Sequence, residues 1–227
     1  MTALAAFAPA LYLAEGPTVS FYGFPYPTRM AVARLASGDL WVWSPVALTP
    51  ALAAAVDALG PVREIVSPNR IHHLFLSDWA ARWPQARLHA PPELAARRPD
   101  LLFAAELGDA PDPGWAGEID QAVFRGSRAL TEVVFLHRPS RTAIVGDLVQ
   151  RHAPIGGWRG LAMRLDGLVG ERGSTPREWR VTFRRRGPAR AARARLLDWQ
   201  PERLIVAHGA CAQRDATAIL RRALAWI

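Results

Sequence analysis

The sequence predicts a mixed-sheet α/β fold, and three observations carry that prediction. Strand-like and helix-like segments alternate along most of the 227 residues, which is the pattern of helices packed on a sheet. Two hairpin-like segments, at 30–49 and 132–149, interrupt the alternation, so the sheet should contain antiparallel pairs as well. Half of the residues are hydrophobic, and neither a repeat nor a linker divides the chain. We therefore expect a single domain over residues 1–227.

The first half of the chain shows clear boundary signals. Two apolar runs at 30–49 flank the turn Ser-Gly-Asp at 37–39, which predicts a hairpin. A helix should follow, with Thr49 as N-cap, Pro50 at its first position and Gly60 at its end. Further on, the spacing predicts a strand in PVREIVSPN, a helix in LFLSDWAARWP, and a strand with a short helix in ARLHAPPELAARRPDLLF.

The second half alternates in the same way. EIDQAVFRG is predicted as a strand, and EVVFLHRPSRTAIVGDLV as two strands about a turn at 138–140. The glycine-rich segment 153–176 should be a cover with helical parts. After this segment we expect a helix in ARAARARLLDW, a buried strand in PERLIVAHGA and a helix in CAQRDATAILRRALAWI.

The composition restricts the class of protein. One cysteine excludes a disulfide framework and any multi-cysteine metal site. The N-terminus lacks the basic region of a signal peptide, and no apolar run approaches the ~20 residues of a membrane span. These features predict a cytoplasmic protein with no membrane partner.

The charge is carried by arginine alone. The net charge is +8, the 28 basic residues are all arginine, and they are densest at 177–195. Such a segment is either a phosphate-binding face or a solvated helix surface. The second interpretation is favoured, so nucleic acid is not the expected partner, and the sequence leaves the oligomeric state open.

Four polar side chains stand at the carboxyl ends of predicted strands. They are His72 and His73, Asp147, and His208. Because such strand ends gather at one edge of an α/β fold, the four should share a crevice. Imidazole and carboxylate groups are ligands of Zn²⁺ and Fe²⁺. Each residue also has an ordinary structural role open to it, as a helix cap, a turn acceptor or a buried hydrogen-bonded histidine.

The order and spacing of these segments resemble the metallo-β-lactamase superfamily, in particular its branch of unknown function DUF4336. The resemblance rests on YPTRMAVARLASGDLWVWSPVALT, SPNRIHHLFLSDW, WPQARLHAP, EVVFLHRPSRTAIVGDLV and LIVAHGA. It implies a four-layer αββα sandwich over nearly the whole chain.

The resemblance also implies a reduced metal site. The superfamily motif Thr-His-x-His-x-Asp-His falls on residues 67–73, where proline and Arg70 replace its first two histidines and His72 replaces its aspartate. The family's next histidine falls near Ser127 and is absent as well. The motif's last histidine, the bridging aspartate and the final histidine remain, as residues 73, 147 and 208. The first metal site is thus lost, and at most one ion, Zn²⁺ or else Fe or Mn, is implied. Two-metal hydrolysis of β-lactams should be absent.

Arg70 stands where a ligand of the first site would be. Its permanent charge can support a single-metal site by orienting Asp147, or it can neutralise Asp147 so that no metal binds. In either version the guanidinium should contact that carboxylate.

Three functions follow from these features. The first is a metal-dependent hydrolase of a small molecule whose identity the sequence does not reveal. The second is a pseudoenzyme that binds partners and in which Arg70 replaces the first metal. The third is nucleic-acid binding through the arginines.

Overall fold

The computed structural model describes residues 4–227, which form two β-sheets and seven helices. The first sheet has seven strands in chain order: β1 (Leu4–Ala8), β2 (Leu11–Phe21), β3 (Phe24–Arg34), β4 (Leu40–Trp43), β5 (Val62–Val66), β6 (Arg87–Ala90) and β7 (Phe103–Glu106). The second sheet has the order β11-β10-β9-β8: β8 (Ile119–Phe124), β9 (Glu132–His137), β10 (Thr142–Val145) and β11 (Arg203–Val206). In the first sheet, neighbouring strands are antiparallel from β1 through β4 and parallel from β4 through β7. In the second sheet, β8 and β9 and also β9 and β10 are antiparallel, whereas β10 and β11 are parallel.

The helices lie outside the two sheets. They are α1 (Pro50–Leu59), α2 (Leu76–Arg82), α3 (Pro92–Arg97), α4 (Gly157–Leu165), α5 (Arg177–Arg180), α6 (Arg186–Asp198) and α7 (Ala216–Ala223). One apolar cluster joins the first sheet to α1, α2 and α3, and another joins the second sheet to α6 and α7. A third cluster, which includes Trp41, Trp43 and Phe135, lies between the sheets. These layers confirm the αββα sandwich.

The boundary signals of the sequence hold in the structure. The hairpin at 30–49 is formed by β3 and β4, and Gly38 supplies the positive φ of 89° at its turn. The backbone N–H of Leu52 donates to Thr49 Oγ1 at 3.2 Å, so Thr49 caps α1 as expected, and Gly60 ends this helix. The hairpin of β9 and β10 is also confirmed.

The strands β2 and β7 of the first sheet were not predicted. The strand β2 pairs with β3 over most of its eleven residues, but its exposed and buried positions do not alternate regularly. The edge strand β7 has three exposed residues out of four. A half-buried strand is recognised by alternation, so neither segment carries that signal.

The arginine-rich segment 177–195 forms α5 and most of α6. Its arginines at 184, 185, 186 and 190 are exposed, which is compatible with both interpretations of this segment. Among the described residues, no helix is both long enough and apolar enough to cross a membrane.

Candidate metal centre

Three loops bring His72, Asp147 and His208 to one point. The parallel strands β10 and β11 are in register, with Val145 opposite Val206, so Asp147 and His208 follow at the same offset. His72 comes from the turn between β5 and α2 in the facing sheet. All three line a crevice of about 460 Å³. The strand-end placement expected from the sequence therefore arises from both sheets together.

The carboxylate of Asp147 lies between the two imidazoles. Its Oδ2 is 3.0 Å from His72 Nε2, and its Oδ1 is 3.1 Å from His208 Nε2. One ligand atom from each residue lies within 4.8 Å of the other two. Nitrogen and oxygen ligands of a tetrahedral Zn²⁺ are about 3.3 Å apart, given bonds of about 2.0–2.1 Å. The three side chains are thus spaced for a single ion.

The hydrogen bond at Nδ1 of His208 determines whether its Nε2 carries a proton. Its Nδ1 lies 2.7 Å from the carbonyl oxygen of Pro27, which can only accept, so this nitrogen carries the proton. In a neutral ring Nε2 is then a lone pair facing the Asp147 carboxylate at 3.1 Å. Two acceptors at this distance repel each other unless a cation, either a proton or a metal ion, lies between them. A backbone carbonyl on the distal nitrogen is the usual support of a metal-binding histidine.

His72 is held by a hydroxyl group instead. Ser44 Oγ lies 2.6 Å from its Nδ1, and a hydroxyl can donate or accept. Either tautomer of His72 is therefore satisfied, including the one that presents a lone pair at Nε2.

Asn69 connects the centre to a second buried carboxylate. Its amide nitrogen donates to Asp147 Oδ2 at 2.8 Å and to Glu132 Oε2 at 3.0 Å. Its amide oxygen accepts the backbone N–H groups of Ile71 and His72. One side chain thus fixes both the carboxylate and the turn that carries the first histidine.

Glu132 holds the turn that carries Asp147. It is completely buried at the start of β9 and accepts backbone N–H bonds from residues 146, 147 and 148 at 2.7–3.2 Å. Burial, and then the charge of Asp147, raise the pKa of Glu132 to about 8, whereas these hydrogen bonds act in the opposite direction. The backbone of residues 146–148 is therefore shaped around a side chain that never reaches the crevice.

The electrostatics of the centre favour an ionised Asp147. Burial alone would raise the pKa of this carboxyl, but His72 and His208 hold it well below its usual range. Tyr26 packs edge-on against His208, with ring centres 5.0 Å apart. Burial, followed by the charge of Asp147, raises the pKa of Tyr26 to about 12, so its hydroxyl stays protonated at neutral pH.

The structure leaves the other two expected residues outside this group. His73 lines the same crevice, but its Nδ1 lies 3.3 Å from Nη1 of Arg98, and the group of possible metal ligands does not include it. Arg70 also lines the crevice, yet among the described residues its guanidinium forms no ion pair with Asp147. The contact with Asp147 that we expected of Arg70 is made by Asn69 instead.

Sequence reasoning missed the supporting residues Asn69, Glu132, Ser44 and Tyr26. Glu132 carried a usable signal, because a charged residue opens the otherwise apolar strand EVVFLH, all of which is buried. Asn69 follows a proline before the histidine pair, which is a turn signal. Nothing in the sequence indicates that Ser44 and Tyr26 approach the centre, since Ser44 follows β4 and Tyr26 lies on β3, both far from His72 along the chain.

A family model matches the chain from the end of β2 to the residues that follow β10. The model for DUF4336, described as a domain of unknown function, matches residues 19–153, which is more than half of the chain. The chain belongs to the DUF4336 family. His72 and Asp147 lie within the matched range of this DUF4336 chain, and His208 lies beyond it.

Solved structures similar to this DUF4336 chain include several metallo-β-lactamases. The DIM-1 metallo-β-lactamase exposed to ceftazidime has a TM-score of 0.67 at 14% identity, covering 99% of this chain and 95% of the other. A metallo-β-lactamase from Pontibacter korlensis has a TM-score of 0.66 at 11% identity, with coverage of 100% and 98%. FIM-1 from Pseudomonas aeruginosa, in its mono-zinc form, has a TM-score of 0.63 at 11% identity, with coverage of 96% and 92%. These likenesses show that the fold is that of the metallo-β-lactamases. No curated protein sequence matches the chain significantly.

Proposed function

We propose that this chain is a metal-dependent hydrolase with one divalent ion, held by His72, Asp147 and His208. The observation that carries the proposal is the contact of His208 Nδ1 with the carbonyl of Pro27, which leaves Nε2 to face Asp147 without a proton of its own. Two neutral imidazoles and one carboxylate suit Zn²⁺, and the same donors suit Fe²⁺. A similar fold is known in a mono-zinc form, which supports one zinc in this fold.

Three protein ligands make an open centre. A site with four protein ligands is closed and usually structural, whereas a catalytic zinc keeps one position for water or substrate. Because His73 points to Arg98, the fourth ligand expected from the sequence is not part of the proposed centre. The open side of the triad faces the crevice.

The chain's own residues would orient the substrate around that centre. A bound ion would supply Lewis acidity, which polarises a carbonyl or phosphoryl oxygen and activates water near neutral pH. Tyr26 lines the crevice with a protonated hydroxyl, so it can donate a hydrogen bond to an oxygen that gains negative charge. Glu178 lines the same crevice, and burial raises its pKa, which suits a carboxyl group that exchanges protons with the substrate.

The alternative function is a metal-free binding module. The direct contacts of Asp147 with both histidines favour it, because an imidazolium at His208 satisfies the same geometry with a proton. A binding module in which Arg70 neutralises Asp147 is not supported, because among the described residues the Arg70 guanidinium does not contact this carboxylate. The two functions therefore differ in whether a metal ion or a proton occupies the space between His208 and Asp147.

Metal content separates the two functions. The chain should be purified without an affinity tag, and its zinc and iron content and its melting temperature with and without Zn²⁺ should be measured. We expect about one ion per chain and a zinc-dependent rise in Tm that a chelator reverses. His208→Gln should lose both, while His73→Gln, the matched control beside the triad, should keep both. An unchanged Tm in the wild type, with no bound metal, would favour the binding module.

Activity is the second part of this test. The metal-loaded chain should hydrolyse an activated ester or phosphodiester, such as p-nitrophenyl acetate or bis(p-nitrophenyl) phosphate, and lose that activity with His208→Gln. A chromogenic β-lactam should be a poor substrate. Efficient turnover of the β-lactam would contradict the loss of the first metal site.

A further inference from the structure

The crevice contains two arginines that nothing in the described chain neutralises. Arg70 and Arg97 both line it. Residues 4–227 offer neither side chain a hydrogen bond or an ion pair, and the Nε of Arg70 is buried without an acceptor. A guanidinium carries five donors, and a buried donor without an acceptor is destabilising. Arg70 is therefore held on the wall of this crevice at a cost that the contacts of the described residues do not offset.

The neighbouring arginines behave differently. Arg98, next to Arg97 in the chain, pairs with Asp100. Arg87, on β6, pairs with two carboxylates, those of Glu64 and Asp112. Among the described residues, exposed surface arginines such as Arg172 and Arg184 also lack a partner, so what distinguishes Arg70 is its buried Nε on the crevice wall.

The carboxylates of the crevice are engaged elsewhere. Asp147 contacts His72 and His208. Glu178 lines the crevice as well, but among residues 4–227 it forms no ion pair with either arginine. An anion from outside the protein is consequently the partner that Arg70 lacks, and the exposed Arg97 lies on the same crevice wall.

Large apolar side chains form another part of the crevice wall. Phe21 and Leu74 line it and are 44% and 56% exposed, and Phe75 and Leu130 line it as well. Large apolar side chains that stay exposed around a crevice mark a surface that binds apolar groups. A ligand that fits both features has an anionic group and a hydrocarbon or aromatic body.

We propose that Arg70, assisted by Arg97, binds the anionic group of the substrate, a carboxylate or a phosphate carried on an apolar body. The planar guanidinium can hold two oxygens of such a group at once. The proposal rests on the proposed function in placing the reacting bond at the triad, but the binding of the anion itself needs no metal. Arg70 then stands where the related fold has metal ligands because it binds the substrate, and it does not neutralise Asp147.

The test is calorimetric binding to the full chain, measured after chelator treatment and again after zinc loading. The probes are octyl phosphate and octanoate, with octanol and inorganic phosphate each carrying only one of the two features. We expect one or both amphiphilic anions to bind more tightly than octanol and inorganic phosphate. Arg70→Gln should weaken that binding at least tenfold, and Arg97→Gln should weaken it less. The tighter of the two anions identifies the chemical group.

Two controls make the result decisive. Arg172→Gln removes the same charge from an exposed arginine outside the crevice and should change the affinity less than twofold. Arg70→Lys keeps the charge but not the fork and should recover only part of the affinity, and zinc binding by both Arg70 variants confirms that they are folded. Equal losses in the Arg70 and Arg172 variants, unchanged binding in Arg70→Gln, or no binding of either anion would overturn the proposal. Failure of the triad to bind zinc would overturn the proposed function and leave anion binding to the metal-free chain intact.

Discussion

Two buried carboxylates of this molecule bind imidazoles, and they balance their charge in different ways. Glu64 lies 2.6 Å from Nε2 of His89 and 2.6 Å from Nη2 of Arg87. Asp147 lies between two histidines and an asparagine amide. Both carboxylates are at most 5% exposed, so solvent screens neither charge effectively.

The difference is the permanent cation. The guanidinium of Arg87 is always charged, so Glu64 is neutralised whatever the protonation state of His89. Asp147 has no permanently charged partner, because its contacts are two titratable imidazoles and a neutral amide, so its cation must be a proton or a metal ion, and both can exchange. His89 is also almost completely buried, whereas the Asp147 group faces a crevice. The same pair of side chains is therefore structural in one place and suited to binding in the other.

Replacing Glu132 should have the largest effect on the Asp147 region. Glu132→Gln keeps the shape of the side chain. Its amide NH₂ group replaces one of the two oxygens that accept backbone N–H groups in the wild type, so donors then face each other. A buried backbone donor that loses its acceptor costs about 1–3 kcal/mol, so we expect a loss of about 3 kcal/mol of unfolding free energy in urea. Glu106→Gln on the exposed edge strand is the control and should stay within about 0.5 kcal/mol. Equal stability of both variants would mean that Glu132 does not hold the turn.

Replacing Glu64 should destabilise the protein without touching metal binding. Glu64→Gln leaves His89 with a weaker partner, while the half-exposed Arg87 can still pair with Asp112. We expect a loss of about 2 kcal/mol, less than for a fully buried pair, because Arg87 reaches solvent. Zinc content should equal that of the wild type. A variant that loses zinc as well would erase the distinction between the two carboxylates.

A third histidine has no carboxylate at all, and pH should reveal it. His137 is fully buried, its Nδ1 contacts Ser140 Oγ at 2.7 Å, and burial lowers its pKa to about 4. In the unfolded chain its pKa is near 6.5, so the unfolded state binds more protons between about pH 6.5 and pH 4. Its contribution to stability is therefore complete above pH 6.5 and is lost as the pH falls toward 4, by about 2 kcal/mol at pH 5.

Urea unfolding at pH 7.5 and pH 5 measures this effect. His137→Gln should lose less stability than the wild type between the two pH values, whatever its stability at pH 7.5. If the difference between the two pH values is the same in both proteins, the buried imidazole is not the group that titrates.

The support of His72 by Ser44 should have the smallest effect. Ser44→Ala removes the 2.6 Å contact of Ser44 Oγ with His72 Nδ1, so this contact no longer orients the imidazole of His72. Loss of such an outer contact typically weakens metal binding by about 10–100-fold, and we expect the lower end, about 1.4 kcal/mol. Competition with a zinc indicator measures it. An affinity equal to that of the wild type would show that the hydroxyl does not orient His72.

The sequence was informative where local rules decide the structure. The cap of α1, the glycine turn between β3 and β4, and the strand ends before Asp147 and His208 each depend on a few neighbouring residues. The resemblance then supplied the order of the layers. The fold and the region of the site followed from these two sources.

The composition of the site depends on packing between distant segments. His72 and His73 are neighbours in sequence, and only the contacts with Ser44 and Arg98 show which of them faces Asp147. Arg70 and Asn69 are likewise neighbours, and the amide rather than the guanidinium reaches Asp147. Such choices depend on the backbone path of a turn, which residue types and spacing do not determine.

The most direct test of the central claim locates the metal in a crystal grown with Zn²⁺, by anomalous scattering at the zinc absorption edge. We expect one strong peak about 2.0–2.1 Å from Nε2 of His72 and of His208, beside the carboxylate of Asp147, and none between His89 and Glu64. A peak on His73 or His89, or no peak at the triad under saturating zinc, would contradict the account.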